Sequence, residues 1–279
     1  MFADGICQVS KNFFSKTVQF YDINYQLALN EDKTTIFENY CDFLNYFDSS
    51  ISVQLSFINQ QVDVAEFEKS IDIPDQNDDF NEIREEYRTM LKNQLSKGNN
   101  GLVKTKYITF GIEAESLKVA RPRLERIEAD ILNNFKVLGA QAHPLNGVER
   151  LEIMYHVFNQ DRIEPFRFNY KMLPQTGLKT KDFIAPTSFH FSKNSSFMMG
   201  KTLGSVSYLQ ILAPELTDRM LADFLDVDES INVNIHIQSI DQTSAIKMIK
   251  SKISDLDKMK IEEQKRAVRS GYDMDVLPS

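Results

Sequence analysis

Tryptophan is absent from this chain, and cysteine and histidine are scarce, with two and four copies in 279 residues. Cys7 and Cys41 stand in separate segments without metal-ligand spacing. The expectation is two reduced, partly buried thiols in a reducing compartment, not a disulfide framework. His143, His156, His190 and His236 form no paired-ligand spacing, so no metal centre is expected. With so few histidines, no Ser/His/Asp or Cys/His constellation is legible either. No apolar run approaches the roughly 18–20 residues that span a bilayer. The opening "MFADGICQVSKNFF" lacks a basic stretch followed by an apolar core, which excludes a secretory signal. Positive charge is in deficit: the formal net charge is -8, which argues against general nucleic-acid binding.

What the chain does have is regular patterning. "GICQVS" and "TVQFYDINYQL" read as two strands joined by a polar turn, with Tyr21, Ile23, Tyr25 and Leu27 alternating in the second. Ile36, Tyr40, Phe43, Leu44 and Phe47 fall at helical spacing behind Asn30 as N-cap. Ile51, Val53, Leu55 and Phe57 alternate as a strand. A helix over about Phe80 to Ser96 follows, then the strand "LVKTKYITFGIEA". The next helix carries Leu124, Ile127, Ile131, Phe135 and Leu138 on one face, with Pro122 starting or kinking it and Gly139 ending it.

Residues 141–186 read as a helical and irregular connector, with one helix over about Gly147 to Phe158. Strands resume at "SFHF", "SFMMGKT" and "SVSYLQIL", and "TDRMLADFL" reads as a short helix capped by Thr217. Ile231, Val233, Ile235 and Ile237 alternate, and a long helix runs from about Gln242 to Arg269, with Ile246, Ile249, Ile253 and Leu256 as its core stripe.

The halves of the chain resemble each other. "DFLNYFDSSISVQLSF" (Asp42–Phe57) aligns with "DFLDVDESINVNIHI" (Asp223–Ile237), and "SKNFFSKT" (Ser10–Thr17) with "SKNSSFMMGKT" (Ser192–Thr202). The matching order implies a duplication. The expected fold is therefore α+β: two duplicated ferredoxin-like α/β sandwich lobes over 1–140 and 187–279, the second incomplete at the C-terminus. On that reading a further strand and helix belong after Ser279.

One motif suggests chemistry. Gly200-Lys201-Thr202 has the ending of a phosphate-binding P-loop, but Ser195 stands where its first glycine belongs, and the following residues alternate like a strand. The duplication places the tripeptide opposite Ser15-Lys16-Thr17, which makes it a hairpin strand and makes Lys16 and Lys201 solvated lysines on sheet edges. A nucleotide-binding enzyme with a degenerate P-loop is the alternative. Glu82, Glu85, Glu86, Glu125, Glu128 and Asp130 lie among Arg84, Arg88, Arg123 and Arg126 on helix faces, where pairing within the helix accounts for them. The last helix is the charge anomaly. Among its basic residues, Lys258, Lys260, Lys265, Arg266 and Arg269 are the candidates for contact with a partner or anionic lipid. A DNA-binding module through the same helix is a further alternative.

Long blocks, among them "DGICQVSKNFFSKTVQFYDINYQLA", "CDFLNYFDSSISVQLSF", "RPRLERIEADILNNF" and "ISDLDKMKIEEQKRAVRSGYDMD", resemble the N-terminal region of the VirB/TraE-type conjugative transfer ATPases. These belong to type IV secretion systems, here in the form carried by integrative conjugative elements of Gram-positive bacteria. The resemblance implies a cytoplasmic region, peripheral at the inner face of the cell membrane. It implies docking onto membrane components of the conjugation machine, attachment to a C-terminal ATPase domain that binds ATP and magnesium, and homo-oligomerisation. It places the Walker segments outside this sequence, so this chain is expected to be non-catalytic, without a cofactor of its own.

Overall fold

The computed structural model describes residues 1–23, 25, 29–61, 73–97, 102–160, 165–193, 195–208, 210 and 229–269. Its larger sheet is antiparallel, with β2 (Phe13–Phe20), β4 (Leu102–Glu113), β3 (Ile51–Gln61) and β9 (Ile231–Gln238) side by side in that order. The short strands β1 (Cys7–Gln8) and β5 (Ala142–Pro144) share the outer side of β2. A second, three-stranded sheet holds β6 (Phe189–Lys193), β7 (Ser196–Met199) and β8 (Thr202–Gly204).

The two faces of the larger sheet follow from strand alternation. Phe14, Val18, Ile108, Phe110, Ile112, Ile51 and Val53 point to one side and are buried. Two helices cover that side. α1 (Asn30–Asn45) reaches it with Phe43, and Phe47 follows just beyond the helix end, both 3% exposed. α3 (Leu117–Val137) buries Ala120, Leu124, Ile127, Ile131 and Phe135, the expected stripe with Ala120 added, while Leu138, also expected on it, caps the helix end and is half-buried. Phe135 stacks on Phe20 with ring centroids 4.9 Å apart. Each such ring removed from water stabilises the fold by about 1.5–3 kcal/mol. α3 begins five residues before Pro122, which therefore sits inside the helix, and Gly139 follows it at φ 77. That left-handed turn favours glycine.

Several expectations need correction. Lys16 is not a solvated edge residue: it is 5% exposed, lies on the helix-covered face, and pairs with Glu128 of α3 at 2.6 Å. β2 is internal to the sheet, with β1 and β5 on one side and β4 on the other, and α3 covers the face from which Lys16 projects. Glu128 and Asp130 accordingly serve other elements, Asp130 accepting a 2.7 Å hydrogen bond from the Tyr46 hydroxyl. Arg88 does pair within α2 (Asn81–Lys97), to Glu85 at 2.9 Å, but Arg84 pairs with Asp78 before the helix.

β9, assigned by sequence to a separate lobe, extends the first sheet. It pairs with β3 from Ser52 opposite Gln238 to Asn59 opposite Ile231, with Leu55 facing Ile235. Residues 141–186 are not simply a connector either. β5 completes the sheet edge, and α4 (Gly147–Phe158) packs on the sheet's second face through Ile153 and Val157, which lie against Ile58 and Tyr107. Two one-turn helices, α5 (Met172–Thr176) and α6 (Thr180–Ile184), follow it. The strand beginning with β2 ends at Phe20, and 205–208 form no strand. The expected helix at 217–225 lies outside the described residues. Among the described residues no helix is long and apolar enough to cross a membrane.

Candidate functional site

The second face of the sheet is polar. Thr17, Thr109, Gln54 and His236 align in one row across four strands, and Gln19, Tyr107, Ser56 and Asn234 in the next. These groups bond laterally. The Thr17 and Thr109 hydroxyls meet at 2.8 Å, and the Ser56 hydroxyl donates to Asn234 Oδ1 at 2.7 Å. Gln54 Nε2 donates to both Ser56 Oγ and Asn234 Oδ1 at 2.9 Å. Where α4 covers this face, its Ile153 and Val157 pack against Ile58, Tyr107 and Leu145; dry cover over the remaining donors and acceptors would leave them unpaired.

α4 crosses part of this face and leaves a cleft of about 400 Å³ beside it. The helix is aimed by its first turn. Asn146 accepts from the N–H groups of Val148 and Glu149 at 2.9 and 3.1 Å, and Glu149 returns a bond to the Asn146 N–H at 2.7 Å. This reciprocal cap is a familiar stabiliser of helix starts. Gly147 is required there, since a Cβ would lie 2.1 Å from the Phe2 carbonyl oxygen. At the other end Asn159, 2% exposed, donates to the Ile184 carbonyl at 3.1 Å.

Within the cleft Arg150 is the one charged side chain among the described lining residues. It is 4% exposed. Its Nη1 donates to the carbonyls of Gly5 at 2.5 Å and Ser15 at 2.8 Å, and its Nη2 to Ser15 Oγ at 3.2 Å. Burial pulls its pKa down to about 10, with Cys7 and Tyr170 opposing the fall. The guanidinium stays charged at neutral pH. Ile153, Met154, Val157 and Phe158 form the apolar wall above the polar floor. Asn232, at the β9 side, has a buried Oδ1 without a hydrogen-bond partner among the described residues.

Sequence reasoning missed this site because it read α4 as part of a connector. Two signals were present. "NGVE" spells the capping box, and an arginine precedes about two turns of helix with apolar residues at the spacings i+3, i+4, i+7 and i+8. The hydroxyl and amide alternation of β2, β3 and β4 was equally visible.

The features singled out by sequence lie elsewhere. Gly200 and Lys201 form the turn between β7 and β8, with Met199 paired to Thr202 and Gly200 at φ 60. No helix begins there, so the fan of N–H groups and the helix dipole that cradle phosphates are lacking at this turn. Lys258, Lys260, Lys265 and Arg266 are exposed on α7 (Gln242–Arg269), which also contains Arg269. Lys258, Lys260, Lys265 and Arg266 do not line the cleft. The stripe expected to be core is open: Ile246, Ile249, Ile253 and Leu256 are 45, 59, 54 and 63% exposed. His190 and His236 are exposed, and Cys7 and Cys41 are free and half-buried. Among the described residues no group of three or more His, Cys, Asp and Glu side chains is placed to hold a metal ion. In comparison with known proteins, no family model matches the chain and no curated protein matches it.

Proposed function

We propose that this chain is a non-catalytic docking and assembly region of a conjugation-type secretion ATPase, peripheral at the inner face of the cell membrane. It supplies contact surface for membrane components of the machine, for further copies of itself and for a C-terminal ATPase domain. The observation that carries this reading is α7. A 28-residue helix with an open apolar stripe and a basic excess suits recognition in the groove of a partner. The turn at Gly200-Lys201 weighs against the rival reading of a nucleotide hydrolase. The chain also reads as two ferredoxin-like halves. In support, Leu55 and Ile235, equivalent under the repeat, face each other across β3 and β9, as a local two-fold axis between copies requires.

Co-purification with the membrane subunits of a conjugation machine tests the reading. The double variant Ile249→Asp, Ile253→Asp should recover about tenfold less partner, as loss of a central apolar anchor does. Its melting temperature should stay unchanged, because both side chains are exposed. Equal recovery would sink the proposal. For the rivals, stoichiometric micromolar ATP binding lost in Lys201→Ala would establish the nucleotide reading. DNA affinity falling steeply with salt would favour DNA binding through Lys258, Lys260, Lys265, Arg266 and Arg269.

A further inference from the structure

Arg150 is buried, and no carboxylate among the described residues pairs with it. A guanidinium has five N–H groups in a fixed planar fork. Nη1 directs both of its own to the carbonyls of Gly5 and Ser15, and Nη2 directs one to Ser15 Oγ. Carbonyl and hydroxyl of the same serine thus occupy the end of the fork that Nη1 and Nη2 share. The other edge, Nε–H with the second Nη2–H, is the parallel pair that grips a carboxylate with two hydrogen bonds. It donates to none of the described residues through the bonds just named.

The surroundings of that edge are equally specific. No Asp or Glu is among the described residues lining the cleft, so the positive charge is not neutralised there. One to two helical turns along α4 stand Ile153, Met154, Val157 and Phe158, and Ile58 and Tyr107 face them from the sheet. A cleft of about 400 Å³ falls in the range of small-ligand sites, roughly 300–1,000 Å³. Burying an unneutralised arginine is costly unless a partner arrives, and an arriving anion would be bound in a low-dielectric setting that strengthens the pair.

We infer that the cleft between α4 and the polar sheet face binds a carboxylate carried on an apolar body, the carboxylate on the Nε/Nη2 edge of Arg150 and the body against Ile153, Met154 and Val157. The site goes beyond docking through α7 and stands on the cleft alone. Two sources offer this chemistry: a free aliphatic or aromatic acid, and the C-terminus of a polypeptide.

The test is titration of the purified chain with octanoate, with 3-phenylpropionate and with a Val-Leu-containing tetrapeptide, each beside its amide. Methyl NMR signals of Ile153, Met154 and Val157 are followed. Carboxylates should give saturable shifts, and the amides should bind about tenfold or more weakly, the loss expected when a charge-assisted pair becomes neutral. Tighter binding of the free acids assigns a metabolite; tighter binding of the peptide assigns a polypeptide end. Arg150→Gln should lose binding by a similar factor. Because Arg150 also ties Gly5 and Ser15 together, that variant can fail to fold, and Met154→Glu then serves. It sets a carboxylate one helical turn from Arg150 as an internal occupant of the fork, so added carboxylates should no longer bind. The inference is overturned if no carboxylate saturates at millimolar concentration, if amides bind as well as acids, or if Met154→Glu leaves binding intact. No component of a conjugation machine enters the experiment, so its failure and that of the docking proposal are separable.

Discussion

The two faces of the larger sheet are made by the same strands yet differ in every respect. On β4, Ile108, Phe110 and Ile112 are fully buried beneath the helices, while Thr109 between them turns to a face of hydroxyls and amides. On β2 the order is reversed in part: the helix-covered face carries a charge, Lys16, and the polar face carries Thr17. One face is closed by packing and holds the fold. The other carries hydrogen-bonding groups that bond to one another, and among the described residues one helix, α4, crosses part of it and leaves a cleft. A protein needs such a surface where it meets something else, and the contrast separates residues kept for stability from residues free to serve recognition.

The contrast can be tested in order of expected effect. Phe110→Ala, on the closed face, should cost about 3–5 kcal/mol in urea denaturation, from lost transfer energy plus an unfilled cavity. A cost below about 1 kcal/mol would mean that the closed face is not the core. Glu128→Gln should cost somewhat less, about 3 kcal/mol, because it leaves Lys16 charged and buried without its partner. The double replacement Lys16→Met, Glu128→Leu should recover most of that loss, since removing both charges also removes their desolvation cost. Failure of the double variant to recover would show that the ion pair contributes more than it costs to bury. Thr109→Val, on the open face, should cost only about 1 kcal/mol, and adding Thr17→Val should bring the loss back toward zero. A loss as large as that of Phe110→Ala would erase the distinction between the faces.

Much of the fold could be read from periodicity. The stripe Leu124, Ile127, Ile131, Phe135 buries as expected, and the alternation of Ile51 and Val53 gives the buried side of β3. The hairpin strand expected through Gly200-Lys201-Thr202 is instead a turn at Gly200 and Lys201, with only Thr202 of the three in β8, because the left-handed backbone at Gly200 reverses the chain there. The cleft was harder to see. Arg150 stands in a helix whose apolar residues look like ordinary core, and its partners Gly5 and Ser15 are 145 and 135 residues away. Spacing within a helix reports neighbours three or four positions off and says nothing of a carbonyl across the sheet.

By itself the sequence determined most of the helices and the alternating faces of the central strands, because steric alternation and helical period are properties of neighbouring residues. Only the tertiary structure decided which surfaces meet. It placed Ile231–Gln238 beside Ile51–Gln61, enclosed Lys16 against Glu128, left the stripe of Ile249 and Leu256 uncovered, and set Arg150 in a cleft lined without a carboxylate among the described residues. The physical reason is that burial and pairing free energies arise between segments far apart in the chain. The hydrophobic pattern of one segment gives it a face to bury but does not name the partner.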